Sequence, residues 1–485
     1  MPLVLSGGFW HNCRVPEPLD RKPRDERDDS RWRERAERAE RERDQLQREK
    51  ERLQRRIDRL ERELEVARRA GFRQAAPFSK PLKRDPRRPG RKAGRHYGPK
   101  AHRRRPSRID ERYDAPLPQH CSACHGPVHE TRVATQYQEE LPVTRVLVRQ
   151  FTVHIGHCGD CGRRVQGRHP LQTSDALGAA AAQLGAQLIA LVVVLNKQLG
   201  LSFGKIATLL QQLYGVTVTR SGLVHAVHRA ARQARPTYEV LCTQVRGSPV
   251  VSPDETGWKV AGLLAWLWAY ATARTTVYRI QPGRGFDEAA SVLGREFAGV
   301  LVRDGWAPYR RFRAAAHQTC LAHLLRRCRD LRTDHPHARV VVEVERILRA
   351  ALALRDRHRA GPVSDHGLAV ARGRLITQLG ARLARRSPVP AIARFTRHLD
   401  REFDAIWSFL FLPGLDATNW RAEQALRPAV VTRKVCGGNR SWRGAETQQI
   451  LASIIQTARQ RELNPHRVLA PLLRTRRPRV AVALH

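Results

Sequence analysis

The most constraining feature of the chain is the order of elements between residues 250 and 309. A run beginning with β-branched residues, "VVSPDETGWKV" (250–260), reads as a strand whose pairing ends at Pro253 and which then presents two adjacent acids, Asp254 and Glu255. Two further strand candidates follow, "LLAWLWAYAT" and "TTVYRIQP", then an amphipathic helix, "FDEAASVLG", and a fourth strand, "GVLVRDGWAPY". Three consecutive strands, a helix and a strand are the order of a ribonuclease-H-like α/β domain. In that layout the first and fourth strands are neighbours. Asp254 lies on the first and Asp304 ends the fourth, so both carboxylates converge on one edge of the sheet.

Converging carboxylates repel unless a cation neutralises them, and magnesium (or manganese) suits an all-oxygen donor set. A pair of such ions activates the attacking oxygen and steadies the leaving one in phosphoryl displacement. That chemistry wants a third acid, and Glu343, Glu402, Glu423 and Glu446 are all candidates. The competing reading of Asp254 and Asp304 is that each only ends a strand in a turn.

Charge narrows the partner. The 485 residues carry 88 Lys and Arg against 46 Asp and Glu, a formal charge of +42. Coding bias explains arginine in place of lysine but not the missing acids, so a polyanion, DNA or RNA, is expected. The longest apolar run, "LIALVVVL" (188–195), is too short to span a bilayer, and the N-terminus shows no secretion signal. Nine cysteines without such a signal argue for a reducing, cytoplasmic setting and against a disulfide framework.

Five segments flank or interrupt the α/β core. Residues 29–75 carry a heptad seam, with Ala39, Leu46, Leu53, Leu60 and Ala67 at one position and Ala36, Arg43, Lys50, Ile57 and Leu64 at the other. It reads as a coiled coil that makes a homo-oligomer, or as a lone charged helix. Residues 76–118, rich in Pro, Gly, Arg and Lys, have no hydrophobic period and form a basic linker. In 119–170, "HCSACHG" and "HCGDCGRR" place Cys121 and Cys124, then Cys158 and Cys161, at the spacing of a zinc ribbon, with "VLVRQFTVHIG" as strand between them and Gly126, Gly159 and Gly162 in the tight turns. Four thiolates make that zinc structural. Residues 171–245 are helical, and "LSFGKIATLLQQLYG" followed by "VTVTRSGLVHAVHRAAR" resembles a helix-turn-helix, though a purely structural hairpin would look the same. Asp304 and Glu423 are separated by 118 residues, too many for a compact core. The excess, within 316–412, reads as an all-α insertion between core segments 246–315 and 413–475.

The segment "ATNWRAEQALRPAVVTRKVCGGNRSWRGAETQQILASIIQTARQRELNPHRVL" closely resembles the C-terminal catalytic signature of insertion sequence 66 family transposases, which are DDE enzymes. "SPDETGWKV" and "VRDGWAPY" resemble that family's two aspartate motifs, and "CLAHLLRR" (320–327) its Cys-x-x-His helix. The resemblance puts the catalytic, magnesium-binding triad on Asp254, Asp304 and Glu423. Glu423 then sits on a helix packed on the sheet, capped by Thr418 or Asn419 and limited by Pro428. Arg421, Arg427, Arg433 and Lys434 become candidate nucleic-acid contacts. The sequence departs from the family pattern at Trp420, where Asn is common, and at Gln424, where Arg is common.

What the resemblance implies is a bacterial, nucleoid-associated DNA transposase of a mobile element. It would cleave element ends, transfer strands into target DNA, and work with small accessory proteins. The alternatives are a catalytically inactive DNA-binding derivative and a ribonuclease-H-like nuclease without strand transfer.

Overall fold

A computed structural model describes residues 26–75, 105–141, 146–178, 183–385, 387–475 and 478–484. Residues 76–104 of the basic linker, and the side chains of the seam residues Ala36, Leu64 and Ala67, lie outside the described residues. The chain forms two compact units, Met1–Gln138 and Glu139–His485.

The first unit holds α1 (Glu26–Ala75), a single 50-residue helix. Its Arg41–Glu37 and Arg55–Glu51 pairs, at 3.5 and 3.6 Å, bridge successive turns and contribute only a few tenths of a kcal/mol each. Leu46, Leu53, Ile57 and Leu60 of the seam are all exposed on it. The first cysteine knuckle closes with the Cys121 amide donating to the Gly126 carbonyl and the His125 amide donating to that of Cys121, both at 2.9 Å. It is His125, with φ of 57°, and not Gly126 that takes the left-handed position.

The second unit begins with the other knuckle, between β1 (Ile155–His157) and β2 (Arg164–Gln166), an antiparallel pair. Here Gly162, four residues after Cys158 as His125 is after Cys121, holds the left-handed turn with φ of 64°. Residues 146–154, expected as strand, form none. Three helices follow: α2 (Ala186–Lys197), α3 (Phe203–Tyr214) and α4 (Arg220–Arg246). Gly215 ends α3 in the left-handed region, and the Thr219 hydroxyl accepts the Gly222 amide to start α4. The helix then runs far past the length of a recognition helix. Leu223, Ala226, Val227, Ala230, Ala234, Tyr238, Leu241 and Val245 spend its apolar stripe inside the core.

That core is built on a five-stranded mixed sheet of order β5-β4-β3-β6-β7. Its strands are β3 (Val250–Val260), β4 (Leu263–Ala271), β5 (Thr276–Gln281), β6 (Val300–Arg303) and β7 (Ala316–Thr319), with α5 (Phe286–Leu293) crossing between β5 and β6. β3, β4 and β5 are antiparallel neighbours, while β6 and β7 run parallel to β3. β3 does not end at Pro253. The proline pairs with Tyr270 of β4, and the strand continues seven residues beyond it. The missing N–H tells only on the β6 side, where pairing stops at Val251 and the strands separate.

After β7 come α6 (Leu321–Asp334), α7 (Arg339–Arg359), α8 (Asp365–Leu383), α9 (Pro390–Arg401) and α10 (Phe403–Trp407). These helices bury their own cluster against Val302. α11 (Trp420–Cys436), α12 (Trp442–Gln460) and α13 (Pro465–Arg474) complete the unit. Pro428 sits inside α11, which ends only at Gly437. α12 covers the edge strand. Gln449 Oε1, Ser453 Oγ and Thr457 Oγ1 accept the backbone N–H groups of Ile280, Tyr278 and Thr276 at 3.0, 2.8 and 3.1 Å. Four helical residues rise about 6 Å, close to two strand residues, so one helix face satisfies every outward amide of β5.

Candidate active site

Side chains alternate along a strand, so the adjacent acids of β3 point to opposite faces. Asp254 shares the parity of Trp258 and Val260, which pack with Ala425, Leu426 and Ala429 of α11. Glu255 shares that of Val251, in the cluster beneath α4 and α5. The two acids live differently. Glu255 is 8% exposed, with Oε1 accepting from Arg284 Nε and Oε2 from Tyr309 Oη, each at 2.7 Å. Arg284 is itself held between Trp266 and Trp306, its Cζ 4.7 and 4.0 Å from the ring centroids. Burial raises the Glu255 pKa despite these donors.

On the other face, burial pushes the Asp254 pKa well above the usual carboxylate range, and the carboxylates of Glu255, Asp304 and Glu423 push it further. The Glu255 amide, donating to Oδ1 at 2.9 Å, opposes this only in part. Pairing of β3 with β6 stops at Val251, three residues before Asp254, and the charge of Asp304 acts on Asp254 from just past the end of β6. Asp304 follows the last residue of β6, and its Oδ1 accepts the Trp306 amide at 2.9 Å.

Glu423 reaches this edge because α11 is tied to β3 along its length. At its start Asn419 is fully buried, and its Nδ2 donates to the Pro253 carbonyl at 2.9 Å. In its last turn, Arg433 Nη1 donates to Thr256 Oγ1 at 3.1 Å and to the Gly257 carbonyl. Beyond its end, the Asn439 amide donates to the Lys259 carbonyl at 2.8 Å, and Trp258 Nε1 donates to Asn439 Oδ1 at 2.8 Å. Gly438 makes that docking feasible: its φ is 126°, and a Cβ there would lie 2.3 Å from the Lys259 carbonyl oxygen. Asn419 is thus the helix-start residue expected, but its side chain anchors the helix to the strand and caps nothing. Thr418 does not hold the cap position.

The remaining third-acid candidates lie elsewhere. Glu343 pairs with Arg382, Glu446 with Arg235, and Glu402 is buried among Arg303, Arg310 and Thr319. Of the four, Glu423 is the one whose charge acts on Asp254. The three carboxylates are not drawn tightly together. Among the described residues, the group whose ligand atoms all lie within 4.8 Å of one another is Cys320, His323 and Glu423, and Glu423 Oε1 is 3.7 Å from His323 Nε2. Like-charged carboxylates stand apart until a cation joins them. Hard oxygen donors with so little compensation suit a hard divalent ion.

Of the arginines and lysine, Arg421 is held by Asp416 at 2.9 Å and lies over the Trp420 ring, 4.7 Å from its centroid. Arg433 is committed to β3, while Arg427 and Lys434 lie exposed along α11, as does Gln424. Sequence reasoning missed Arg284 and Tyr309, and it gave Asn419 a capping role in place of the anchoring one. The aromatic residues flanking the acids were the signal for the first two.

Residues 181–447 match the model of the family described as "Transposase IS66 family". The chain is also 26% identical over 408 residues, 75% of its length and 76% of the other's, to the uncharacterized protein y4jD of Sinorhizobium fredii (strain NBRC 101917 / NGR234). The class is a transposase, a nucleic-acid-processing enzyme of DNA recombination by mobile elements. The chain belongs to the IS66 transposase family. The matched span contains Asp254, Asp304, Cys320, His323 and Glu423, and excludes α1 and both cysteine knuckles. Among the described residues, no helix is long and apolar enough to cross a membrane.

Proposed function

We propose that the chain is a DDE transposase that cleaves DNA at element ends and transfers the freed strands into target DNA. The observation that carries this reading is the convergence on Asp254: a half-buried, poorly compensated carboxyl acted on by Asp304 from the end of the neighbouring strand and by Glu423 from a helix pinned to its own strand. The strand order, with two parallel strands added to an antiparallel trio, supports a ribonuclease-H-like core.

Asp254, Asp304 and Glu423 would hold magnesium, which when bound supplies charge neutralisation at the scissile phosphate and activation of the attacking oxygen. The protein's own residues do the rest. The two aspartates, fixed by parallel strands, set the spacing of the site, and Glu423 helps to position the nucleophile. Water attacks the phosphodiester at the element end first, and the liberated 3′-hydroxyl attacks target DNA second, without a covalent protein intermediate. Arg421, Arg427 and Lys434, on the same helix as Glu423, contact phosphates, while Arg433 acts by holding α11 on β3. The strongly basic chain supports a polyanionic partner. The zinc assignment to Cys121, Cys124, Cys158 and Cys161 rests on their spacing in sequence. The exposed leucines of α1 support pairing with a second copy, which would hold two DNA ends together.

The test is a cleavage assay on DNA flanking the gene, with and without magnesium, using wild type and Asp304→Asn. Magnesium-dependent nicking that the variant loses while keeping its DNA affinity is expected. Affinity lost together with activity would count against the catalytic assignment, DNA binding in EDTA without any cleavage in magnesium would favour an inactive derivative, and cut ends that never join would favour a nuclease.

A further inference from the structure

Cys320 and His323 lie outside the acidic site, yet they meet it. Cys320 is the residue before α6, and His323 is one turn on, along the same helix face. Two bonds bring the starts of α6 and α11 together: the Leu321 amide donates to the Ala417 carbonyl at 3.0 Å, and the Asn419 amide donates to Cys320 Sγ at 3.2 Å. Two polar atoms at this junction are buried and without a hydrogen-bond partner, His323 Nδ1 and Asn419 Oδ1. Buried polar atoms are almost always satisfied, so each asks for a ligand. The Cys320 side chain, fully buried, offers a soft donor that no magnesium site would use.

We propose that Cys320, His323 and Glu423 form a second metal site, for zinc or a like borderline cation, that shares its glutamate with the magnesium site. The sulfur, nitrogen and oxygen ligand atoms lie within 4.8 Å of one another, and rotation of exposed Glu423 closes the remainder. A thiolate, an imidazole and a carboxylate are the donors that tetrahedral zinc takes, leaving a fourth position for water. Burial raises the Cys320 thiol pKa, so the metal must displace the thiol proton, which leaves to solvent. Zinc held here draws the Glu423 carboxylate towards α6, away from Asp254 and Asp304. It therefore opposes magnesium-dependent cleavage by removing one of that site's ligands. The inhibitory half of this proposal rests on Glu423 serving the magnesium site; the binding half does not.

The experiment uses the full chain. Metal content after zinc loading and gel filtration, and the sulfur-to-metal charge-transfer band after cobalt substitution, are compared for wild type, Cys320→Ser, His323→Gln, Glu423→Gln and Asp304→Asn. Any zinc taken up by the knuckle cysteines is common to all five proteins and cancels. The first three variants are expected to lose about one equivalent per chain relative to wild type, and Asp304→Asn to keep it. Equal zinc in wild type, Cys320→Ser and His323→Gln overturns the site. For inhibition, micromolar zinc is added to cleavage reactions in excess magnesium: wild type should slow at least about tenfold, and Cys320→Ser, which leaves the acids intact, should be spared. Equal inhibition of both overturns the sharing of Glu423. If the zinc equivalent follows Cys320 and Glu423 while Asp304→Asn still cleaves, the metal site stands and the catalytic reading falls; if no extra zinc binds while Asp304→Asn is dead, the reverse holds.

Discussion

Two acids near β6 receive opposite treatment. Glu402, 1% exposed, accepts from Arg303 Nη1 at 2.6 Å, Arg310 Nη1 at 2.8 Å and Thr319 Oγ1 at 2.8 Å. Burial alone would raise its pKa, but Arg303 and the three donors bring it below the ordinary glutamate value. Asp254 is half-buried, yet its neighbours are acids, and its pKa moves the other way. A chain with so many arginines had ample means to neutralise Asp254. That it does so for Glu402 and Glu255 and leaves Asp254 facing Asp304 and Glu423 separates acids that hold the fold from acids that wait for a cation.

The largest effect is expected from Asp254→Asn or Asp304→Asn, each lowering magnesium-dependent cleavage by about 10³-fold or more while circular dichroism and DNA affinity stay near wild type. A folded variant that retains cleavage would place the chemistry elsewhere. Next, Glu402→Ala should cost about 3–5 kcal/mol in denaturant unfolding, because Arg303 is left buried and unpaired, whereas Glu343→Ala, from a half-exposed pair, should cost less than about 1 kcal/mol. Similar losses for both would erase the distinction drawn here.

A smaller effect sharpens the contrast by pH. The folded pKa of Asp254 lies above its unfolded value, so its contribution is fully present below the unfolded pKa and is lost as pH rises through the folded one. In EDTA, Asp254→Asn should therefore melt higher than wild type at neutral pH, with the gap shrinking in acid. For Glu402 the folded pKa is depressed, so its support is present above the unfolded pKa and fades as pH falls through the folded one. Thermal melts of Glu402→Gln across the same range should converge on wild type in acid from below. The smallest change is expected for Arg427→Ala, which should weaken DNA binding modestly and reduce the slope of log affinity against log salt by about 1.

Much of the sheet that carries the candidate site was readable in the sequence. Three strands, a helix and a strand in sequence imply that the first and fourth strands become neighbours, and β3 and β6 do pair, at Val250–Val300 and Val251–Leu301. β7 was not readable, since "AHQT" carries neither a β-branched run nor alternation, and it pairs only because β6 offers an open edge. The third acid was not readable from residues alone either. Glu343, Glu402 and Glu446 each sit in sequence much as Glu423 does, and local pattern holds no information about which salt bridge a distant arginine will make. Nor was Pro428 a helix end, because the packing of Ala425, Leu426 and Ala429 on the sheet outweighs one missing hydrogen bond.

By itself, the sequence determined which groups could do chemistry and in what order they arise along the strands, because side-chain alternation and element order are local properties of the chain. Only the tertiary structure decided which acids are neutralised and which are left to act on one another, and that Asn419, Arg433 and Gly438 hold α11 where the charge of Glu423 acts on Asp254. The charge state of a buried carboxyl depends on partners more than a hundred residues away, and long-range electrostatics is written in the packing of the folded chain.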